Sequence, residues 1–362
     1  MSDSLPAPED GGVDIATGNS LPVHQLGSAV SVMGAASDDV TKAQVAHNES
    51  DDEQPDSTEV GRDTNEGLLD DYPMDSEDVD LTHQRLKTLE GLPLSEYTNL
   101  KRLGLRQNLL AKIETLDGLT QLEELDLYDN RITRLEGVDK LTNLRYLDLS
   151  YNKIRHIENL EPLTNITDLF LIANKISHIQ NLDALQNLRN LELGANRIRA
   201  IEGLNQLPNL EQLWLGKNKI TQLQGFKNLK SLKILSIQSN RIRKLEGLSV
   251  LPQLEELYIS HNAIESTSGL DENKKLRVLD ISNNRIEKLE KLESLTELEE
   301  LWASYNKISS FEEVGAQLKD KAQLNTVYFE GNPFQTSAPA NYRLKLKTIL
   351  PQLQQIDATL VR

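Results

Sequence analysis

Cysteine is absent from this 362-residue chain, and aromatic residues are scarce at 4%, so any clustering of them is informative. Without cysteine there is neither a disulfide framework nor a thiolate metal site, which excludes a stapled secreted module and fits a reducing compartment. No apolar run reaches the roughly 18 residues that a membrane helix needs. The opening Met1-Ser2-Asp3-Ser4 lacks the basic start and apolar stretch of a signal peptide, so no leader is expected. The sequons at Asn48 and Asn165 are accordingly expected to stay unused. Positive charge is missing from one region only. Residues 1–78 hold 19 acidic side chains against Lys42 and Arg62, which accounts for the whole formal charge of −17 and leaves 37 acids and 37 bases beyond residue 78. The acidic balance therefore belongs to the N-terminal region and carries no information about the remainder.

Residues 1–76 are rich in Asp, Glu, Ser, Pro and Gly and lack periodicity, so they cannot bury enough apolar area to offset the entropy of ordering. They read as a disordered acidic tail, in which Ser50 among its acidic neighbours suits an acidophilic kinase but a solubilising role is the simpler reading.

Beyond the tail the chain repeats. Asparagine recurs at 108, 130, 152, 174, 196, 218, 240, 262, 284 and 306, a spacing of 22 held through nine steps. Within one unit the apolar residues Ile132, Leu135, Val138, Leu141, Leu144, Leu147 and Leu149 hold fixed offsets from Asn130. This is the pattern Leu-x-x-Leu-x-Leu-x-x-Asn-x-Leu of leucine-rich repeats. Leu147 and Leu149 flank Asp148 on a short strand and turn into the core. The asparagine amide can then satisfy backbone groups where the chain turns inward. The three-residue apolar spacing after it favours 3₁₀ or extended turns over a long helix. The fold class expected is an α/β solenoid: a leucine-rich-repeat horseshoe with a concave parallel β-sheet, a 3₁₀ or extended convex side and a C-terminal cap. Twelve repeats fill residues 77–332, from a first unit with Gln84 in the asparagine position to a last with Asn332, and residues 333–362 form the cap. Twelve strands make a wall on the order of 55 Å long. Departures from the apolar pattern at Thr267 and Asn273 predict a softer region there.

The residue between the two inward leucines faces the concave side. That column reads Asp80, Gly104, Asp126, Asp148, Phe170, Glu192, Trp214, Ser236, Tyr258, Asp280, Trp302 and Tyr328, and holds both tryptophans of the chain. The flanking columns add Tyr146, Asp168 and Glu300 on one side and Tyr128 on the other. Seven of the 16 aromatic residues thus line one face, interleaved with carboxylates, which is the composition of a protein-binding hot spot. The acids predict Arg or Lys on the partner. A basic column follows the asparagines (Arg131, Lys153, Lys175, Arg197, Lys219, Arg241, Arg285, Lys307), but an acidic column that includes Glu136, Glu158, Glu202, Glu246 and Glu290 lies five residues on. A charge-paired rim is expected there, not a nucleic-acid track. His156 and His178 occupy equivalent positions in adjacent repeats without a third ligand. No phosphate loop, nucleophile elbow or zinc-protease motif occurs, so no enzyme, metal or cofactor is expected.

The 22-residue units, the repeated Asn-Arg/Lys-Ile, the segments Leu103-Gly-Leu-Arg-Gln-Asn-Leu109, Glu123-Glu-Leu-Asp-Leu-Tyr-Asp-Asn130 and Leu215-Gly-Lys-Asn-Lys-Ile-Thr221, and the ending Gln355-Ile356-Asp357-Ala358-Thr359 resemble the leucine-rich-repeat regulatory subunits of protein phosphatase 1. The resemblance covers about residues 77–362. It implies a non-catalytic subunit that binds the phosphatase catalytic subunit through its concave face and controls its activity, maturation or targeting. It further implies a nuclear and cytoplasmic location, a mitotic role, a further phosphatase inhibitor protein as a third component, and a chain that is monomeric alone. The family's contact positions fall on Asp148, Phe170, Glu192, Trp214, Asp280, Glu300, Trp302 and Tyr328, with Trp214 standing where phenylalanine is expected. Tyr258 joins them from the column geometry, and Asp126, Tyr128, Tyr146 and Asp168 form a secondary group. The tail contains no Lys/Arg-Val-x-Phe docking segment, so binding would rely on the folded face. A scaffold for another protein, of the ciliary, tubulin-handling or histone-binding kind, is the alternative.

Overall fold

The structure, a computed structural model, describes residue 61 and residues 64–361. The reading of residues 1–60 as a tail lies outside those residues. Each repeat contributes one three-residue strand: β1 (Asp78–Asp80), β2 (Arg102–Gly104), β3 (Glu124–Asp126), β4 (Tyr146–Asp148), β5 (Asp168–Phe170), β6 (Asn190–Glu192), β7 (Gln212–Trp214), β8 (Ile234–Ser236), β9 (Glu256–Tyr258), β10 (Val278–Asp280), β11 (Glu300–Trp302) and β12 (Thr326–Tyr328). All twelve pair in parallel and in sequence order, and a C-terminal hairpin of β13 (Gln355–Ile356) and β14 (Thr359–Leu360) closes the sheet. Between strands the chain runs in turns, with 3₁₀ segments at Leu94–Glu96 and Leu248–Val250. This is the leucine-rich-repeat horseshoe that the 22-residue period predicts.

The core is the repeat pattern itself. Ile132, Leu135, Val138, Leu141, Leu144, Leu147 and Leu149 are all fully buried, and the same offsets recur in a single continuous cluster. Each ladder asparagine joins neighbouring repeats. Asn152 accepts from the Ile132 N–H at 2.9 Å and donates to the carbonyls of Leu127 and Leu149 at 3.0 and 3.1 Å. The residue before it, Tyr151, holds φ at 56°, and the equivalent residues from Gln107 to Tyr305 do likewise. This left-handed step costs a non-glycine residue roughly 1 kcal/mol, offset by the three buried hydrogen bonds it positions. Glycine is required elsewhere: at Gly203, with φ of 67°, a Cβ would stand 2.3 Å from the Ile179 carbonyl oxygen of the preceding repeat.

Both ends depart from the sequence expectation. Residues 64–76, which composition assigns to the tail, pack on the first repeat. Leu69 is buried, the Tyr97 hydroxyl donates to the Leu69 and Tyr72 carbonyls, and the Tyr72 hydroxyl bonds the Asp80 backbone at the free edge of β1. Leu68, Leu69 and Tyr72 are the apolar signal that the acidic average concealed. At the other end the 26-residue step from Asn306 to Asn332 makes room for a helix, α1 (Phe311–Leu318), with Ser310 capping it by accepting from the Glu313 N–H. Helices α2 (Pro333–Thr336) and α3 (Pro339–Ile349) follow, and Phe329, Phe334 and Tyr342 fill the open end of the core.

The departures at Thr267 and Asn273 place polar side chains in the core. Thr267 is fully buried, accepts from the Glu290 N–H at 2.8 Å and donates to the Glu290 carbonyl. Asn273 donates to the Leu248 and Leu251 carbonyls at 3.0 Å. Lys321, in the same place of the last repeat, repeats this pattern toward Leu292 and Leu295.

Candidate functional site: the concave face

Strand register places the expected column in one row. Asp126, Asp148, Phe170, Glu192, Trp214, Ser236, Tyr258, Asp280, Trp302 and Tyr328 are successive partners. Tyr146, Asp168 and Glu300 lie in the adjoining row, since they pair with Glu124, Asn190 and Val278 respectively. Tyr128 follows β3 on the other side.

The column is less open than strand alternation alone predicts. Asp148, Ser236, Tyr258 and Asp280 are buried. Neighbouring strands are only ~4.8 Å apart, so large rings lean across the shorter side chains between them. The Tyr146 and Phe170 rings meet at 5.1 Å, Tyr258 and Trp302 at 6.0 Å, and Trp302 and Tyr328 at 5.9 Å. The aromatic residues therefore form two groups. Tyr128, Tyr146 and Phe170 lie over β3 to β5, joined by Tyr151 at 5.1 Å from Tyr128. Tyr258, Trp302 and Tyr328 lie over β9 to β12, and Trp214 stands between the groups.

The polar atoms of the second group are tied down. The Tyr258 hydroxyl donates to Glu256 at 2.7 Å, and the Trp302 indole N–H donates to Glu300 at 2.9 Å. Gln355, from the cap, donates to the Tyr328 hydroxyl at 2.7 Å. Glu256, in the concave-facing column two residues before Tyr258 on β9, and Gln355 were not among the site residues expected from sequence. Glu256 was open to discovery as the i−2 neighbour of a ring on the same strand face, whereas nothing local marks Gln355. Asp280 is held by the Ser282 N–H at 3.0 Å and Asp148 by the Ser150 N–H at 2.8 Å.

Carboxylates crowd this face, and burial dominates their behaviour. It raises Asp280, only partly offset by hydrogen bonds from Ser260 and Ser282. It also raises Asp148, against the Ser150 bonds and with the added charge of Asp126. Glu192 is pushed up to about 7, first by burial and then by the charge of Asp148. Burial likewise raises the phenols of Tyr146, Tyr258 and Tyr328. A desolvated anionic surface with fixed rings can accept lysine or arginine side chains through ion pairs and cation–π contacts.

On the rim, Glu158, Glu202, Glu246 and Glu290 pair with Arg134, His178, Lys244 and Lys288 respectively. Those partners sit four residues after each asparagine; Lys244 and Lys288 reach the acid two residues on in the same unit, whereas Arg134 and His178 reach the acid of the following unit. His178 is therefore engaged with Glu202 at 2.9 Å, and among the described residues no three His, Cys, Asp or Glu side chains converge as a metal site. Among the same residues no helix is long and apolar enough to cross a membrane.

The chain is a leucine-rich-repeat protein. Its sequence matches the family described as leucine-rich repeats (2 copies) at residues 98–140, 120–165, 186–228 and 274–316, and a second leucine-rich-repeat description at 208–264. Among named relatives, it is homologous to the protein phosphatase 1 regulatory subunit SDS22. It is 55% identical to that of Schizosaccharomyces pombe over 53 residues, 15% of this chain and 16% of the relative. It is 48% identical to that of Saccharomyces cerevisiae over 54 residues, with the same shares. The matched stretch thus spans about one sixth of each relative. Among solved structures, a leucine-rich-repeat protein of Leptospira interrogans is 25% identical over 72% of this chain and 73% of that one, with a TM-score of 0.59. An internalin of Listeria monocytogenes is 22% identical over 79% of this chain and 87% of that one, with a TM-score of 0.61, and shows the fold alone.

Proposed function

We propose that this chain is a non-catalytic regulatory subunit that binds the catalytic subunit of protein phosphatase 1 on its concave face and controls that enzyme's activity, maturation or nuclear targeting. The observation that carries the reading is the 55% identity to a phosphatase 1 regulatory subunit. It is supported by a face whose rings and desolvated acids are suited to a basic protein surface. Asp148, Phe170, Glu192, Trp214, Tyr258, Asp280, Glu300, Trp302 and Tyr328 make the main contact, with Asp126, Tyr128, Tyr146 and Asp168 as its periphery. A nuclear and cytoplasmic location, and a further inhibitor protein in the complex, belong to the same proposal.

Calorimetric titration of the full chain with purified phosphatase 1 catalytic subunit, beside Trp302→Ala, tests it. Removing an aromatic residue at the centre of an interface costs about 2–4 kcal/mol. Binding weakened by that amount, with circular dichroism showing both proteins folded, supports partner and face together. A folded chain that does not bind overturns the assignment, and binding indifferent to Trp302 moves the interface elsewhere.

A further inference from the structure

We propose that the turns following β4 to β8 carry a second docking site, a strip of cations that takes an extended acidic segment of another protein with a carboxylate at every third residue. The strip lies outside the concave rows and its test does not use the phosphatase, so it stands or falls apart from the reading above.

The asparagine ladder builds this strip. In each unit the residues one and three places after the asparagine flank a buried isoleucine, as Lys153 and Arg155 flank Ile154, and both of these are exposed. Lys153, Lys175, Arg197, Lys219 and Arg241 form a first file, in which the N–H of each donates at 2.8 Å to the carbonyl of the isoleucine one unit before. Five residues stacked at the ~4.8 Å strand spacing make a file about 20 Å long. The second file reads Arg155, Ser177, Arg199, Thr221 and Arg243. Its exposed arginines thus alternate with small hydroxyl residues and recur every two units, about 9.6 Å apart. Ala263 and Glu265, in the next unit, end both files.

Lys153, Lys219 and Arg241 of the first file and Arg155, Arg199 and Arg243 of the second make no ion pair or side-chain hydrogen bond among the described residues. The acids next along the turns are already engaged, Glu158 with Arg134, Glu202 with His178 and Glu246 with Lys244. The available charge is therefore positive, and the strip is only two files wide with carboxylates beside it. A broad polyanion such as duplex nucleic acid would meet those acids as well as the cations. Single-stranded nucleic acid stacks its bases on rings, and neither file holds one; Tyr151, beside the first file, faces Tyr128 at 5.1 Å. A polypeptide in the polyproline II conformation turns every third side chain to the same side, about 9.3 Å apart, which matches the interval between the arginines. Each guanidinium can then hold one carboxylate through two parallel N–H donors, with the first file adding charge alongside.

Fluorescence anisotropy of the full chain with a labelled peptide of four Glu-Pro-Pro units, at low salt, tests the site. Binding is expected, and the triple variant Arg155→Ser, Arg199→Ser, Arg243→Ser should weaken it by about tenfold. Serine already stands in that file at Ser177, so the variant should fold, which circular dichroism checks. A second triple variant, Arg145→Ser, Arg189→Ser, Lys233→Ser, removes the same charge from the opposite ends of the strands, where these residues pair with Glu123 and Glu211. It should change affinity by less than about twofold. A peptide of the same composition with its glutamates contiguous should bind about threefold more weakly or worse. No binding of the spaced peptide overturns the proposal, and equal losses in the two variants overturn it by showing that net charge alone is read. Equal affinity for the two peptides, or tighter binding of oligothymidylate or duplex DNA carrying the same charge, overturns the acidic-segment assignment.

Discussion

Over β3 to β5 the rings of the concave face sit beside a cation of their own, whereas over β9 to β12 they do not. Arg106 lies 4.3 Å above the Tyr128 ring and pairs with Asp126 at 2.8 Å, so the first group is partly neutralised from within. In the second group Glu256 and Glu300 accept from Tyr258 and Trp302, and Asp280 from the Ser282 N–H. Those bonds orient the carboxylates without cancelling their charge. The two regions share one scaffold and one asparagine ladder, and on the concave side they differ in the outward-facing columns. Folding thus places few demands on those columns, and an uncompensated charge there is free to serve a partner. The C-terminal group is the candidate for most of the binding energy, and the N-terminal group for orientation.

Charge reversal separates the two most sharply. Glu300→Lys puts a like charge against a basic partner surface and removes the acceptor that orients Trp302, so binding to the catalytic subunit should weaken by several kcal/mol, beyond hundredfold. Asp126→Lys, at the other end, should cost about 1 kcal/mol or less, since that acid is already engaged. Calorimetry on both variants checks the contrast; equal losses would show that the ends contribute alike.

A smaller effect, predicted to be common to both ends, concerns stability. Asp148 and Asp280 are each buried and each raised by burial. A carboxyl whose folded value lies above its unfolded one supports folding below the unfolded value, and that support is lost as pH rises through the folded value. At pH 7.5 both groups are therefore a burden. Asp148→Asn and Asp280→Asn, which keep the acceptor for the Ser150 and Ser282 N–H groups, should each stabilise the chain by about 1 kcal/mol. Thermal melts should show the gain at pH 7.5 and its disappearance near pH 4. A gain at one position only would mean that the two acids sit in unlike surroundings after all.

Much of this was legible because the repeat makes three-dimensional neighbours out of residues 22 apart. The core positions, the ladder from Asn108 to Asn306 and the row from Asp80 to Tyr328 all follow from the period. What the period cannot encode is whatever occurs once. Leu69 and Tyr72 were lost in an acidic average, helix α1 occupies the longest step, and the bond from Gln355 to Tyr328 joins the cap to the site across 27 positions. Which rim charges meet is likewise not encoded by the period. Several columns of each sign repeat together, and only side-chain reach decides which pairs meet, as when Glu158 takes Arg134.

The smallest predicted effect tests the N-terminal group itself. The Arg106 side chain is 41% exposed and that of Asp126 21%. Their pair, screened by water, is worth about 0.2–1 kcal/mol, and the stacking on Tyr128 adds about 0.5–1 kcal/mol. Arg106→Ala should therefore lower stability by roughly 1 kcal/mol, read from chemical denaturation. Its effect on partner binding discriminates better. Removing the guanidinium exposes the Asp126 carboxylate and the Tyr128 face to whatever docks there. If that end only orients the partner, affinity should shift by no more than about twofold, well under 1 kcal/mol. If affinity instead rises tenfold, Arg106 has been occupying a seat that the partner's own cation would take, and the contrast between the two ends is one of occupancy and not of design.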